Sequence, residues 1–376
     1  MPGAAPDAII VGGGIVGAAC AYELARAGAR VQLLEARVVG GGTTAAGMGH
    51  VVVMDDSEAQ FALSAYSARL WAELDAELPA AAEADPCGTL WVAEDGDQLD
   101  AVRSKQAFYA ARGVETEVLD GADVARLEPN LRVPMAGALR VPGDRVVYPP
   151  AVARWLVERA RDLGAAVREG CAVERIRDGA VFAGGERLEA GVVINAAGAE
   201  AARLVPGLPI VPRKGHLAIT DRAPGFCRHQ LVELGYLKSA HTMTTESVAF
   251  NVQPRATGQL LIGSSRELVG WDGALNRSIL RRMLARAVEF MPALAGLSVI
   301  RVWTGFRPAT PDKLPVIGRW PEVDRLWIAA GHEGLGITTS LGTARLLCDQ
   351  ILGRTPEIDA APFIPDRLFV AHENQE

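Results

Sequence analysis

Near the amino terminus, apolar positions fall into two textures. Residues 8–11 are an unbroken apolar run, the stretch up to Gly28 is amphipathic, and residues 31–34, Gln32 apart, are apolar again before Glu35. Short apolar runs beside glycine predict buried parallel strands, and the longer periodic stretch between them predicts a helix. Phe61, Leu70, Leu74 and Leu78 sit near helical spacing and predict a helix over 62–84. A break at Pro86, a strand over 88–93, a helix over 97–112 stopped by Gly113, and a short strand over 137–141 follow. The α/β texture returns with a helix over 149–163 that carries proline in its first turn and ends at Gly164. Strands near 165–169 and 172–177 and a buried strand over 191–196 come next. From 213 to about 307, alternating segments at 216–220, 248–252 and 259–263 predict an antiparallel sheet, interrupted by a helix over 278–291 that ends at Pro292. Residues 326–352 read as strand, glycine-rich turn and helix.

This order predicts an α/β chain, α+β overall, whose two units interleave. One is a doubly wound nucleotide-binding unit built from 1–85, 145–212 and 308–376. The other is a substrate-binding unit on an antiparallel or mixed sheet, built from 86–144 and 213–307. Such an arrangement implies a site between the units, where sizeable pockets form.

The chemistry of the first turn is specific. Gly12, Gly14 and Gly17 have the G-x-G-x-x-G spacing between a strand and a helix. The first permits the tight turn, the second lets a pyrophosphate approach the backbone, and the third lets helix and sheet pack closely. The helix start offers free N–H groups and a partial positive charge to phosphates. Glu35 stands where an acid accepts from both ribose hydroxyls. This turn by itself also suits a nicotinamide-linked dehydrogenase.

Composition narrows the class. The 376 residues are 49% hydrophobic and 22% charged, with a net charge of −7, values of a globular protein with a sizeable core. With no Lys/Arg block, nothing invites nucleic acid. No apolar run reaches the length of a bilayer-spanning helix. No signal peptide precedes the first strand, so a cytoplasmic setting is expected. Five scattered cysteines without a C-x-x-C pair argue against a disulfide framework, and no metal site or iron–sulfur cluster is expected on this chain alone.

Five segments in order carry a resemblance: VGGGIVGAACAYELARAGARVQLLE at the start, GCAVERI at 170–176, VVINAAGAEA at 192–201, GFRPATPDKLPVIG at 305–318 and AAGHEGLGITTSLGTARLL at 329–347. The chain resembles the FAD-dependent amine and D-amino-acid oxidoreductases, the glycine oxidase and sarcosine oxidase group, over nearly its whole length. The run GMGHVVVMDDSEAQFALSAYS (47–67) with GHEGLGITTS looks most like the flavin β subunits of D-hydroxyproline dehydrogenases, with opine oxidase subunits near. The resemblance implies a Rossmann-like FAD-binding domain interleaved with a D-amino-acid-oxidase-type substrate domain. It implies that Gly12, Gly14, Ile15, Val16, Gly17, Glu35, Ala36, Gly42, Thr43 and Thr44 hold the ADP half of a non-covalent FAD. Gly47, Met48 and Gly49 would lie near the flavin, Val173 would bind adenine through its backbone, and Ala197 and Gly198 would line the pyrophosphate and ribityl chain. Gly331, His332, Gly334, Leu335, Gly336, Ile337 and Thr338 would form the turn whose N–H groups face the flavin pyrimidine.

The implied reaction is oxidation of an amino acid amine to its imine by hydride transfer. Its carboxylate needs a positioned cation, and Arg307 occupies the family's position for that arginine. His50 and Glu333 are candidates to tune or accept from the amine, and Glu333 also to meet a substrate hydroxyl. Tyr236, with Lys238 and His241 as weaker candidates, lies in the substrate-unit segment. The substrate expected from the finer resemblance is cis-4-hydroxy-D-proline, with opines, sarcosine or glycine as alternatives. The protein would then be the catalytic subunit of a hetero-oligomer whose partner subunits carry FMN or an iron–sulfur cluster. A flavin-carrying electron-transfer or scaffold subunit is the remaining alternative.

Overall fold

The computed structural model describes residues 5–235 and 246–369. Its first sheet has six strands in the order Val316–Arg319, Leu326–Ala330, Val192–Asn195, Ala8–Val11, Val31–Leu34 and Ala166–Arg168. Ala8 pairs with Val31 on one side and Val192 on the other, both parallel, and only the Val316–Arg319 edge runs antiparallel. Alternate residues of the central strand face opposite cores. Ile10 packs with the helices Ile15–Arg26, Pro149–Asp162 and Ser340–Ile351, while Ile9 and Val11 pack with Ile176, Val181 and Val205. A strand buried on both faces has to read as a continuous apolar run, which is why residues 8–11 do. The helix Ile15–Arg26 comes close enough that a Cβ on Gly17 would overlap the carbonyl oxygen of Gly12.

The second sheet has eight strands in the order Val299–Ala309, Val211–Thr220, Leu260–Glu267, Glu246–Pro254, Gln230–Glu233, Thr89–Ala93, Gly137–Val141 and Glu117–Asp120. Segments separated by more than a hundred residues therefore share one sheet, which is mixed because Gln230–Glu233 pairs parallel to Thr89–Ala93. One face is covered by the helix Arg277–Phe290. There Phe290 stacks on Phe250 with ring centroids 4.3 Å apart, over Leu231, Val252 and Ile262. The opposite face looks toward the first sheet.

Some elements differ from the sequence reading. The helix expected over 62–84 is Glu58–Leu74. Ser57 starts it earlier by accepting from the Gln60 N–H, and Pro79 followed by left-handed Glu83 (φ 48°) leaves only a 3₁₀ turn at Ala80–Ala82. The strands Glu117–Asp120, Ala180–Ala183, Glu186–Glu189, Gln230–Glu233 and Val316–Arg319 and the helix Gly121–Leu127 are additional. Each is seven residues or shorter, too brief for periodicity to declare it. No helix among the described residues is long and apolar enough to cross a membrane.

Candidate active site

The first turn is assembled by its own polar atoms. Gly12 adopts φ 105°, and Glu35 accepts from the Gly13 N–H at 2.7 Å through one carboxylate oxygen and from the Arg37 N–H at 2.8 Å through the other. The following helix has Gly14 as its N-cap, no side-chain cap from that residue, and no acid in its first turn. Thr44 brings its hydroxyl to the Ile15 N–H at 3.0 Å, which fixes the Gly42–Thr44 loop against the helix start. Ala36 is exposed just beyond Glu35, and the Cys171 N–H donates to the Glu35 carbonyl at 2.9 Å, which brings Val173 to the same end of the sheet. Asn195 braces Ala197 at 3.2 Å, and Gly198 (φ 58°) has open space where a Cβ would point, as does Gly42.

The last turn meets the first. A Cβ on Gly336 would lie 4.0 Å from Val16. Gly331 needs φ 86°, and a Cβ there would come within 2.6 Å of Thr310. His332 is buried, with Nε2 2.9 Å from the Thr343 hydroxyl, and burial lowers its pKa to about 3. His332 thus braces the turn onto the helix Ser340–Ile351, which also lacks a side-chain cap and a first-turn acid. Thr338 donates to the His50 carbonyl at 3.0 Å and accepts from the Val52 N–H at 3.2 Å. Ile337 approaches Gly47: a Cβ on that glycine would be 3.2 Å from its Cδ1. Leu335 packs on the Val52–Met54 and Phe61 cluster. Met48 reaches the second sheet at Gly263, and Gly49 fits because a Cβ would overlap the Val147 carbonyl. The His50 ring is neutral: burial lowers its pKa to about 3, and its Nε2 has no partner among the described residues.

The second sheet supplies the cations. Arg307 and Arg213 are opposite each other on neighbouring antiparallel strands, hence on the same face. Arg307 crosses over Gly215 and donates to the Ser265 carbonyl at 2.9 Å. Glu333, left-handed at φ 46°, is tied by its N–H to the Pro308 carbonyl at 2.8 Å. Its Oε1 meets Arg213 at 2.7 Å and Arg266 at 3.8 Å. Thr43 donates to the Phe306 carbonyl at 2.8 Å and Trp303 to the Ala46 carbonyl at 3.2 Å, so the segment from Thr43 to Ala46 is pinned to this sheet. Ala46, Gly47, Met48, Arg307, Glu333, Leu335 and Ile337 stay partly exposed although they lie between two sheets, as the lining of a cleft does.

Two clusters therefore emerge from the sequence candidates. Gly12, Gly14, Ile15, Val16, Gly17, Glu35 and Thr44 surround one helix start. Gly47, Met48, His50, Arg307, Gly334, Ile337 and Thr338 gather between the sheets. Tyr236, with Lys238 and His241, lies outside the described residues. Arg213, Arg266, Gly215 and Ser265 join the site without having been singled out. Only strand register reveals them, because two sit on short or bulged pairings far from Glu333 in sequence.

The residues fit FAD. A turn with free helix N–H groups, a carboxylate beside it, and glycines whose missing side chains leave open space match an ADP moiety. A second helix start, whose N-cap residue Thr339 gives no side-chain cap and whose Gly342 N–H donates to the Ser67 hydroxyl at 3.1 Å, meets them from the far end of the chain. An α/β dinucleotide fold joined to a sheet that presents an arginine defines a flavin-dependent oxidoreductase by class. The chain belongs to the FAD dependent oxidoreductase (DAO) family, which matches residues 7–350. It is 33% identical over 317 residues to a D-amino acid dehydrogenase of Xanthobacter autotrophicus, covering 80% of this chain and 72% of that protein. Among solved structures it is similar to glycine oxidase from Geobacillus kaustophilus, at TM-score 0.86 and 27% identity over 96% of this chain and 98% of that one. It shares its fold with L-proline dehydrogenase from P. horikoshii, at TM-score 0.87 and 23% identity over 98% of both chains.

Proposed function

We propose that this chain oxidises the Cα–N bond of a small amino acid to an imine, with cis-4-hydroxy-D-proline as the substrate. It would act as the catalytic subunit that passes electrons to partner subunits carrying FMN or an iron–sulfur cluster. The observation that carries the reading is Arg307, laid across Gly215 beside the Gly331–Thr338 turn. Its guanidinium is the one a substrate carboxylate reaches from the cleft, and a fork of parallel N–H groups fixes that carboxylate's orientation. FAD, when bound, supplies the two-electron acceptor. The chain's own residues bind the carboxylate, hold the turn whose N–H groups support negative charge, and exclude water. His50 brings a neutral imidazole that leaves no positive charge beside the amine. Relatives named for amino-acid oxidation support the reaction class.

The test is anaerobic flavin bleaching by the purified yellow protein across D- and L-proline derivatives, sarcosine, glycine and opines. Fastest bleaching by cis-4-hydroxy-D-proline is expected, with reduction of an artificial dye by the isolated chain. Bleaching by another substrate first would replace the assignment. A flavin that no amino acid bleaches would leave the electron-transfer or scaffold reading.

A further inference from the structure

We propose that Gly334, Glu333 and Arg213 form a subsite beside Arg307 that reads a hydroxyl on the far side of the substrate. Within it, Arg213 is a positioning residue. The inference rests on Arg307 being the carboxylate anchor.

Gly334 differs from the glycines around it. Gly331 is required by its left-handed backbone and by Thr310. Gly334 has no left-handed φ and is exposed, and a Cβ there would meet only Arg307 Nε at 3.7 Å and Cδ at 3.8 Å, ordinary contact distances. Neither conformation nor packing asks for glycine at this position. What the missing side chain provides is free space directly over the stem of Arg307, where the body of a bound amino acid has to lie.

Glu333 borders that space. Arg213 donates to its Oε1 at 2.7 Å, and Arg266 lies 3.8 Å from the same oxygen. Arg213 is 2% exposed, so its side chain is locked and fixes the carboxylate with it. A pre-positioned carboxylate binds its partner without first paying to be ordered. Held by guanidiniums, it accepts hydrogen bonds and does not donate them, so the group it matches is a donor. The substrate's carboxylate is taken by Arg307, and its nitrogen has to stay clear of a carboxylate that would hold it protonated, since hydride transfer needs the neutral amine. The remaining donor that suits Glu333 is a hydroxyl on the ring or side chain. A site built to bond a hydroxyl rejects the analogue lacking it, because its own polar group is then left unpaired.

The experiment uses the FAD-loaded chain. One measurement is the ratio of kcat/KM for cis-4-hydroxy-D-proline over D-proline. The second is the ratio of calorimetric Kd values for benzoate and 3-hydroxybenzoate, which are not turned over. Wild type is expected to favour the hydroxylated member at least tenfold. Glu333→Gln and Arg213→Met should bring both ratios near one, and Arg213→Lys should restore most of the preference. Gly334→Ala should lower kcat/KM for ring substrates at least tenfold relative to glycine, and it carries the test if Glu333→Gln does not fold. Unchanged ratios in the Glu333 and Arg213 variants, or an equal effect of Gly334→Ala on all substrates, overturn the subsite alone. A wild type that reacts with no amino acid overturns the Arg307 reading and the subsite with it.

Discussion

Arg307 lies across Gly215, and a Cβ on that glycine would overlap its Nη1. The contact explains how a long side chain on one strand reaches the Ser265 carbonyl two strands away. Replacing Gly215 with alanine must therefore push the guanidinium off the sheet. The expected outcome is a KM at least tenfold higher with a smaller change in kcat, since orientation of the carboxylate is what is lost. Steady-state kinetics on the flavin-loaded variant checks this, and an unaltered KM would mean that Arg307 binds nothing.

Removing the guanidinium altogether is harsher. In Arg307→Ala the substrate carboxylate enters the cleft without its partner, and truncating one member of such a pair costs about 2–5 kcal/mol. KM should rise roughly a hundredfold or more while the flavin content per chain holds, because the hydrogen bonds that hold Glu35 to the first turn and Thr44 to the helix start do not involve Arg307. Flavin absorbance against protein concentration separates the two effects.

How far the sequence carried this picture depends on the range of the interactions. The turn from Gly12 to Glu35 is local, and each residue's task follows from spacing, so the strand–helix–strand unit reads directly. Gly17 shows it: the close helix–strand approach implied by its position is the one found. The Arg213–Glu333 pair spans 120 residues, and nothing in either neighbourhood announces the other. Arg213 sits in a strand whose register against Val299–Ala309 decides which face it shares with Arg307. A one-residue slip would turn it to the opposite side. Short strands such as Gln230–Glu233 were invisible for a related reason, since four residues between buried neighbours carry no period. Glu35 was legible as an acid at the right distance, while its grip on the Gly13 N–H appears only with the turn built.

Neither His50 nor His332 should shape the rate profile. His50 and His332 are held down to about 3 by burial, so both stay neutral at and above neutral pH. His50→Asn is expected to keep the wild-type shape of kcat/KM against pH between about 6 and 10, and loss of one limb of that profile would assign the titration to His50. The same depression has a stability consequence. An unfolded histidine titrates near 6.5, so the folded state loses stability as pH falls below about 6.5 toward 3. Thermal melts should therefore show Tm dropping less on acidification in His50→Asn than in wild type.

Asp144 gives the opposite sign and an independent check. Its Oδ1 accepts from the Val53 N–H at 3.2 Å, and burial raises its pKa to about 7 against the pull of the Thr89 hydroxyl and the Val53 N–H and, after them, of Lys105 and Arg145. A carboxyl raised from its ordinary value near 3.8 takes up a proton on folding. Its contribution is therefore complete below about pH 4 and is lost as pH rises through about 7. Asp144→Asn keeps an oxygen for the Val53 N–H and removes the buried charge. The variant should melt close to wild type at pH 4 and several degrees above it at pH 8. The difference in Tm, followed by calorimetry, should grow between about pH 4 and pH 7 and level off above that. A variant that melts below wild type at pH 8 would mean that Asp144 is ionised in the fold and held there by Lys105, whose ammonium also pairs with Asp55.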